Sequence, residues 1–328
     1  MQGRLESERA INARIQTKLE TMPEFVSEWH SLLRASKVTA SSRMDYVNKV
    51  HHFLEFISNN TATVTAKQIT ASKTTDYFIS IQTKEDKNGN LVNTSDSYQQ
   101  TVYCALNNFF EFMVNHQYTR NNYMKDIKKP KNKDLDRINK NRTLLTERDF
   151  KLILHSATME NDPVLKRRDK AILLIFMSTG MRKEALRSIN ISDIDFNDYT
   201  LTVIDKGDKT QIYSLNAKCI DALKEWIDYR SDYVETPTDA LFISKNGNRI
   251  SSNGLAKVVC KYTKQALGKE LRPHKLRAGY CSILYANNPD IEFVRRSVGH
   301  SDVSTTQRYI VTNGSERKEA ASIINSIL

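Results

Sequence analysis

The sequence predicts an α+β protein, predominantly α-helical with a small β-sheet, and two patterns lead to this fold class. Through most of the chain, apolar residues recur at the spacing of one helix face, as Phe25, Trp29, Leu32 and Leu33 do. In the second half, residues 201–205 and 211–215 are short runs with β-branched or alternating side chains. A Lys-Gly-Asp-Lys turn lies between these runs, which is typical of a β-hairpin.

A change in composition divides the chain into two domains. At 328 residues the chain is longer than one typical domain. The stretch at 125–142 is crowded with lysine and arginine and has few apolar side chains, so it is the best candidate for a linker. We expect an N-terminal helical tail at 1–22, a helical domain at 23–124, a basic linker at 125–145, a second domain at 146–315 and a C-terminal helix at 316–328 that docks on another surface.

The N-terminal domain is predicted to be a compact bundle of four helices. The first helix contains Trp29, and the others are expected at 40–58, 65–82 and 95–116. Thr65 and Gln68 have the spacing of a capping box at the start of the third helix. The polar loop at 84–91 has no role that the sequence reveals.

In the second domain, Thr146 and Asp149 fit the start of a capped helix. An apolar helix at 170–178 is expected to be buried, and it ends at a glycine turn just before Arg182. Further helices are predicted at 217–229 and 252–266. Residues 240–244 are predicted to form a strand.

The charge balance favours a nucleic-acid partner. The net charge is +11, from 49 basic and 38 acidic residues. A basic protein of this size commonly binds nucleic acid, because cations that neutralise phosphates release counterions. A surface that is merely rich in lysine remains the alternative on charge alone.

Several classes of protein are disfavoured by composition. No apolar run is long enough to span a bilayer, and the first residues have no apolar core typical of a secretory signal. The four cysteines are scattered without paired spacing, which argues against disulfides and zinc sites and for a reducing cytoplasm. We therefore expect no metal site and a cytoplasmic protein.

Residues 272–309 contain groups suited to phosphodiester chemistry. His274 and Arg277 are three residues apart and share one face of a helix. His300 follows a glycine, and Tyr309 lies nine residues further on. A phenol can attack phosphorus, and cationic groups can stabilise the charge that builds on phosphate oxygens.

Three boxes of the second domain resemble the tyrosine recombinase (phage integrase) family. Residues 178–182 read Ser-Thr-Gly-Met-Arg and resemble the first-arginine box of that family. Residues 274–277 read His-Lys-Leu-Arg and resemble its His-x-x-Arg box. Residues 298–301 read Val-Gly-His-Ser, and with Tyr309 they resemble its Gly-His box and nucleophile. The resemblance extends over about 146–312, and the N-terminal bundle matches the family's core-binding domain in size and position.

The resemblance implies a role for each residue of these boxes. Tyr309 would attack a DNA phosphate, form a 3′-phosphotyrosyl bond and release a 5′-hydroxyl. Arg182 and Arg277 would hold the non-bridging oxygens, and His274 would assist removal of the phenol proton. His300 would donate a hydrogen bond to a phosphate oxygen. Lys206 would protonate the departing 5′-oxygen, and neither ATP nor a metal or other cofactor is expected.

Two positions depart from the family pattern. Asp205 stands where the hairpin motif has its first glycine, and Lys209 competes with Lys206 for the role of catalytic lysine. Glu184 lies two residues after Arg182, whereas the acidic residue of the family lies three residues after, where this chain has Ala185. Any supporting role for Glu184 is left open.

The resemblance implies that the partners are recombination sites in double-stranded DNA. A homotetramer would bind them and exchange strands through a Holliday junction. An accessory directionality factor is a further possible partner. The sequence leaves open whether the role is that of a mobile-element integrase or of an Xer-type resolvase of chromosome dimers. A non-catalytic DNA-binding protein and a monomeric topoisomerase of the same fold are the remaining alternatives. A nucleoid-associated protein of bacterial or phage origin is expected. The residues expected to contact DNA outside the boxes are Lys128, Lys129, Lys131, Lys133, Arg142 and Lys209.

Overall fold

The computed structural model describes residues 2–130, 145–205, 209–231 and 238–299. They fall into two compact units, of which one extends from Arg4 to Lys140 and the other begins at Asn141. Each unit contains one of the two tryptophans of the chain, Trp29 or Trp226. The predicted fold class, mostly helical with small antiparallel sheets, is confirmed.

Within the described residues, the N-terminal unit contains five α-helices and a short β-ribbon around an aromatic core. Trp29, Phe53 and Phe109 are fully buried in this core, and Trp29 Nε1 donates a hydrogen bond to Asn108 Oδ1. The elements are α1 (Gln2–Leu19), α2 (Glu24–Ala35), α3 (Ala40–Ile57), α4 (Ala71–Ser80), β1 (Thr83–Glu85), β2 (Leu91–Asn93) and α5 (Asp96–Asn115). Ile15 and Leu19 of α1 are buried in the same core, so the first helix packs on the bundle.

Two predictions for this unit were wrong. Leu32 is 46% exposed, because Leu33 and Val26 complete the buried face of α2 in its place. The helix predicted at 65–82 is divided into a short 3-10 turn at Ala66–Gln68 and the α4 helix. Thr70 causes the break, since its side chain accepts a hydrogen bond from the backbone of Lys73 and caps a new helix.

The second unit consists of seven helices and a three-stranded antiparallel sheet within the described residues. The elements are α6 (Glu147–Thr158), α7 (Pro163–Thr179), α8 (Lys183–Ser188), β3 (Ile194–Asp195), β4 (Thr200–Asp205), β5 (Lys209–Ser214), α9 (Ala217–Arg230), α10 (Ser252–Leu267), α11 (Pro273–Asn287) and α12 (Ile291–Val298). The strand order is β3-β4-β5, and Asp205 pairs with Lys209 at the end of the predicted hairpin.

The central helix of this unit is α7, which packs against α6, α9 and α11 and in which all residues from 171 to 177 are buried. Asp162 caps its start by accepting hydrogen bonds from the backbone of Val164 and Leu165, and Pro163 occupies the first turn, where no donor is needed. Burial of its apolar residues fixes α7 in the core. The C-terminal end of α7, which leads into the turn before Arg182, is therefore held in a fixed position.

The prediction of a strand at 240–244 was wrong. Within the described residues, this segment makes isolated bridges, Asn190 with Ala240 and Ile243 with Arg249. The apolar side chains of this segment are buried in the core of the unit, and Trp226 Nε1 donates a hydrogen bond to Leu241 O. Among the described residues, no helix is long and apolar enough to cross a membrane.

Candidate active site

A glycine turn places Arg182 between two helices. Gly180 ends α7 in the left-handed conformation, with φ of 58°, and its N–H donates to Phe176 O. Thr179 supports the same turn by accepting a hydrogen bond from the N–H of Met181. Arg182 then adopts an extended backbone immediately before α8, so its half-buried side chain starts from a fixed corner.

Arg277 joins three parts of the predicted site. Its side chain is fully enclosed on α11, with 2% of the residue exposed. Nη1 donates to Gly180 O at 2.6 Å, and Nη2 donates to Val298 O at 2.9 Å. One guanidinium therefore connects the turn before Arg182, its own helix and the turn before His300.

His274 lies in the first turn of α11, at the edge of this cluster and partly open to solvent. Burial lowers the pKa of His274 below its usual value, and the charges of Arg277, Lys275 and Arg182 lower it further. The positive end of the helix also disfavours a second proton on the imidazole. The structure thus brings Arg182, His274 and Arg277 together, in surroundings that favour the neutral form of His274.

The lowered pKa of His274 makes the stability of this unit depend on pH. The unfolded imidazole binds a proton near its ordinary pKa of about 6.5, whereas the folded one resists it. Stability is therefore lost as pH falls through and below that value, and no loss arises from His274 above it. We expect His274→Asn to show a smaller decrease in urea midpoint between pH 7.5 and pH 5.5 than the parent chain.

The measurement follows the fluorescence of Trp226 in a Trp29→Phe background, so that only the second unit reports. Other titrating groups affect both proteins alike and cancel in the comparison. An equal decrease in midpoint for both proteins would show that His274 does not carry this pH dependence.

Gly299 ends α12 in the left-handed conformation, with φ of 65°. The preceding carbonyl, Val298 O, is held by Arg277, so this turn is fixed on the side that faces α11. His300 follows the turn and lies outside the described residues, as do Lys206 and Tyr309. The contacts of these three residues are therefore predictions from the sequence.

Tyr280 is the tyrosine nearest in sequence to Arg277. Its ring packs so closely on Gly180 that a Cβ built there would lie 2.4 Å from Tyr280 Cδ1. Burial raises the pKa of Tyr280 to about 12, which makes its phenol a poor nucleophile. Tyr280 thus supports the Arg182 turn by packing, and Tyr309 remains the predicted nucleophile.

Glu184, which departs from the family spacing, connects α8 to α10. Its carboxylate accepts hydrogen bonds from Arg187 Nε at 2.9 Å and from Ser252 Oγ at 2.5 Å. Because Ser252 is the first residue of α10, the carboxylate fixes the start of that helix relative to α8. Sequence reasoning missed Tyr280 and Ser252, and the only signal for Tyr280 was its position one turn after Arg277.

The predicted DNA contacts are described only in part. Lys128 and Lys129 are exposed in the N-terminal unit. The backbone of Lys209 forms the first residue of β5. Lys131, Lys133 and Arg142 lie outside the described residues.

One group of possible metal ligands occurs among the described residues, on a helix of the N-terminal unit. His51, His52 and Glu55 on α3 have ligand atoms within 4.8 Å of one another. Both imidazoles approach the same oxygen, Glu55 Oε2, at 3.2 Å and 2.8 Å. The group belongs to the N-terminal unit, and none of the chemistry discussed for the boxes involves it.

Comparison with known proteins identifies the family of the chain. The model of the phage integrase family matches residues 143–316. A curated relative, tyrosine recombinase XerC of Pseudomonas entomophila (strain L48), is 34% identical over 169 residues, which is 51% of this chain and 55% of the relative. The chain thus matches about half the length of that relative.

Two solved structures share the fold. XerH site-specific recombinase, in a post-cleavage complex with palindromic difH substrate, gives a TM-score of 0.66 at 20% identity, covering 97% of this chain and 89% of that one. A lambda integrase tetramer bound to a Holliday junction gives a TM-score of 0.59 at 13% identity, covering 87% and 76%. Because the family model covers more than half of the sequence, the chain belongs to the phage integrase family, the tyrosine recombinases.

Proposed function

We propose that this chain is a site-specific recombinase that cleaves and rejoins DNA through a 3′-phosphotyrosyl intermediate. The observation that carries the proposal is Arg277, whose two hydrogen bonds hold the Arg182 turn and the Gly299 turn against the helix of His274. A site built in this way concentrates positive charge and a neutral imidazole in one place. Such preorganised donors stabilise a pentacoordinate phosphorus more than the ground state.

The reaction can be written from the predicted roles. Tyr309 attacks phosphorus while His274 takes up the phenol proton, and the bond from phosphorus to the 5′-oxygen breaks. Lys206 gives its proton to the departing 5′-oxygen. Rejoining is the same step in reverse, with a 5′-hydroxyl as nucleophile. The phosphotyrosyl bond retains the energy of the original diester, so the residues themselves complete the cycle without ATP.

The experiment is covalent trapping on a DNA substrate with a nick close to the cleavage position. The short 5′-hydroxyl fragment diffuses away, and the protein remains attached to DNA. The parent chain is expected to give an adduct whose tryptic peptide contains Tyr309, and Tyr309→Phe is expected to give none. Tyr199→Phe, at an exposed tyrosine before β4, is the matched control and should form the adduct normally. An undiminished adduct with Tyr309→Phe would refute the proposal.

The assembly is proposed to be a tetramer on two duplexes that exchanges strands through a Holliday junction. The support is the shared fold with the lambda integrase tetramer bound to such a junction. Light scattering on DNA with two cognate sites should give four chains per pair of duplexes. A complex that stays at one chain per duplex would instead favour a monomeric topoisomerase.

Of the two biological roles, we propose the Xer-type role first, because the curated relatives that match are XerC recombinases. Sequencing the DNA that is covalently attached to the protein in cells would separate the alternatives. A single chromosomal site is expected for a resolvase of chromosome dimers. Adducts at the two ends of a mobile segment would instead identify an integrase, whose direction an accessory factor could set.

Lys128 and Lys129 are proposed to contact DNA phosphates, since both are exposed and lie in the basic segment predicted as the linker at 125–145. Each phosphate contact contributes about 0.9 to the slope of log K against log salt concentration. The double variant Lys128→Gln/Lys129→Gln should therefore reduce the slope by about 2 and weaken binding to all sequences alike.

Fluorescence anisotropy between about 50 and 200 mM salt measures this slope. Lys67→Gln/Lys87→Gln, at two exposed lysines away from the linker, removes the same charge and is the control. Equal changes in slope for both double variants would attribute the effect to overall charge.

A further inference from the structure

A polar side chain occupies an inward position of the β4–β5 hairpin. Along β5 and the residue after it, Tyr213 and Leu215 are buried, whereas Ile212, the residue before Tyr213, is 62% exposed. Gln211 lies two residues before Tyr213, so it is on the same face of the strand as the buried pair, and it is itself half-buried. It pairs with Val203, which is 3% exposed on β4. An amide therefore lies at the inward end of an otherwise apolar strand face.

The side chain of Gln211 lies against the turn at Gly299. A Cβ built on Gly299 would lie 2.7 Å from Gln211 Oε1 and 3.2 Å from Gln211 Cδ. The amide therefore rests directly against the glycine backbone, closer than any side chain at position 299 permits. Glycine at position 299 allows both this close contact and the φ of 65°.

The same turn is also held by Arg277, which donates to Val298 O. The hairpin and α11 thus meet the Gly299 turn at adjacent residues, 299 and 298. A two-stranded hairpin end has few contacts of its own and is easily displaced. The Gln211 contact is two residues, or about 7 Å along the strand, from the Asp205–Lys209 pair where the turn of the hairpin begins.

We propose that Gln211 is a positioning residue, which fixes the β4–β5 hairpin on the Gly299 turn and so places Lys206 for the reaction. This inference rests on the proposed function, in which Lys206 donates a proton to the 5′-oxygen as its bond to phosphorus breaks. The lysine is left neutral, and the phosphorus is left bound to Tyr309. Loss of the Gln211 contact then impairs the protonation of the leaving group and leaves the attack by Tyr309 intact.

A sulfur substitution separates these two steps. An alcohol needs a proton in order to leave, whereas a thiol with a pKa of about 8.5 leaves readily as a thiolate. A nicked substrate with sulfur in place of the bridging 5′-oxygen therefore does not need Lys206. Single-turnover adduct formation is compared on the oxygen and sulfur substrates.

Gln211→Ala is expected to slow cleavage of the oxygen substrate by about 10- to 100-fold, since general acid catalysis contributes 10²–10⁴-fold and the lysine itself remains. On the sulfur substrate its rate should equal that of the parent chain. Lys206→Ala is the reference and should show the same pattern with a larger loss. Ile212→Ala, at the exposed neighbouring position of β5, is the matched control and should be normal on both substrates.

A second variant tests the contact itself. Gly299→Ala forces the amide of Gln211 away, because the new Cβ would overlap with Oε1. If the contact transmits the effect, the losses of Gly299→Ala and Gln211→Ala on the oxygen substrate should not multiply in the double variant. The urea midpoint of Gln211→Ala, read from Trp226 fluorescence, is expected to match that of the parent chain.

Three results would overturn the proposal. Gln211→Ala could cleave the oxygen substrate at the normal rate, it could be slowed equally on both substrates, or its losses could multiply with those of Gly299→Ala. A failure of the proposed function looks different, because the parent chain would then form no adduct on either substrate. Sulfur failing to rescue Lys206→Ala would refute the role of Lys206 and, with it, the placement of Lys206 by Gln211.

Discussion

Replacing Arg277 with alanine is expected to lower the free energy of unfolding of the second unit by about 3 to 5 kcal/mol. Two buried carbonyl oxygens lose their hydrogen-bond donors, at a cost of about 1–3 kcal/mol each, and a cavity remains. The two carbonyls are Gly180 O and Val298 O. Their release also frees the turns before Arg182 and His300. Adduct formation should decrease by about 10³-fold, as when one preorganised charge donor is lost from an active site.

Urea unfolding followed by Trp226 fluorescence measures the stability, with Trp29 replaced by phenylalanine. Arg296→Ala is the matched control, since its side chain is 74% exposed and pairs with Glu292 on the same helix. Such an exposed pair contributes only about 0.3–0.5 kcal/mol. Arg277→Lys keeps the charge, but one ammonium cannot reproduce the planar fork that reaches both carbonyls. An alanine variant as stable as the parent would show that these contacts have no structural role.

Replacing Gly180 with alanine is the second change with a large expected effect. Two penalties add at this position. A residue with a Cβ in the left-handed region costs about 1–2 kcal/mol, and the new methyl group would lie 2.4, 2.9 and 3.1 Å from three atoms of the Tyr280 ring. Overpacking of this kind costs about 1–3 kcal/mol, so a total loss of about 3 kcal/mol is expected. Movement of Tyr280 would also displace Arg277, one turn earlier on α11.

Gly268 provides a control that isolates the two penalties. It ends α10 with φ of 67°, but no atom lies within 4 Å of a Cβ built there. Gly268→Ala should therefore show only the conformational cost of about 1–2 kcal/mol. Adding Tyr280→Ala to Gly180→Ala should recover part of the loss, with a coupling of about 1–3 kcal/mol. Equal losses of unfolding free energy in the two glycine variants would mean that the Tyr280 ring moves aside without destabilising the unit.

Local patterns allowed most helices of the fold to be predicted from sequence. The Thr146–Asp149 capping box is present, and the apolar helix predicted at 170–178 forms the buried part of α7. The hairpin also forms, with strand ends within two residues of the predicted ones. These features depend on residues a few positions apart, which a single sequence displays directly.

The errors have a different physical origin. Residues 240–244 have the composition of a strand, but a strand needs a neighbouring strand to pair with, and here the chain offers single bridges. The side chain of Thr70 can cap a helix as well as continue one, and capping prevailed. Tertiary packing likewise decided the exposure of Leu32. None of these outcomes depends on sequence neighbours alone.

The site shows the same division. The sequence identified Arg182, His274 and Arg277, and the structure places them together. The sequence alone could not show that Arg277 donates to carbonyls 97 and 21 residues away, or that Gln211 contacts Gly299. Contacts of this kind depend on how helices and strands pack, which local spacing does not encode.

The two close approaches to glycine carry a consequence for how the sequence can change over evolutionary time. Gly180 lies against Tyr280, and Gly299 lies against Gln211, so each glycine shares its space with a side chain from a distant part of the chain. The amide at the end of the Gln211 side chain can move aside, whereas the Tyr280 ring cannot, so a substitution at Gly180 becomes tolerable only after Tyr280 has become smaller. Divergent lineages should therefore replace Tyr280 before Gly180. Reconstructed ancestors that carry a side chain at 180 together with Tyr280 should fold poorly.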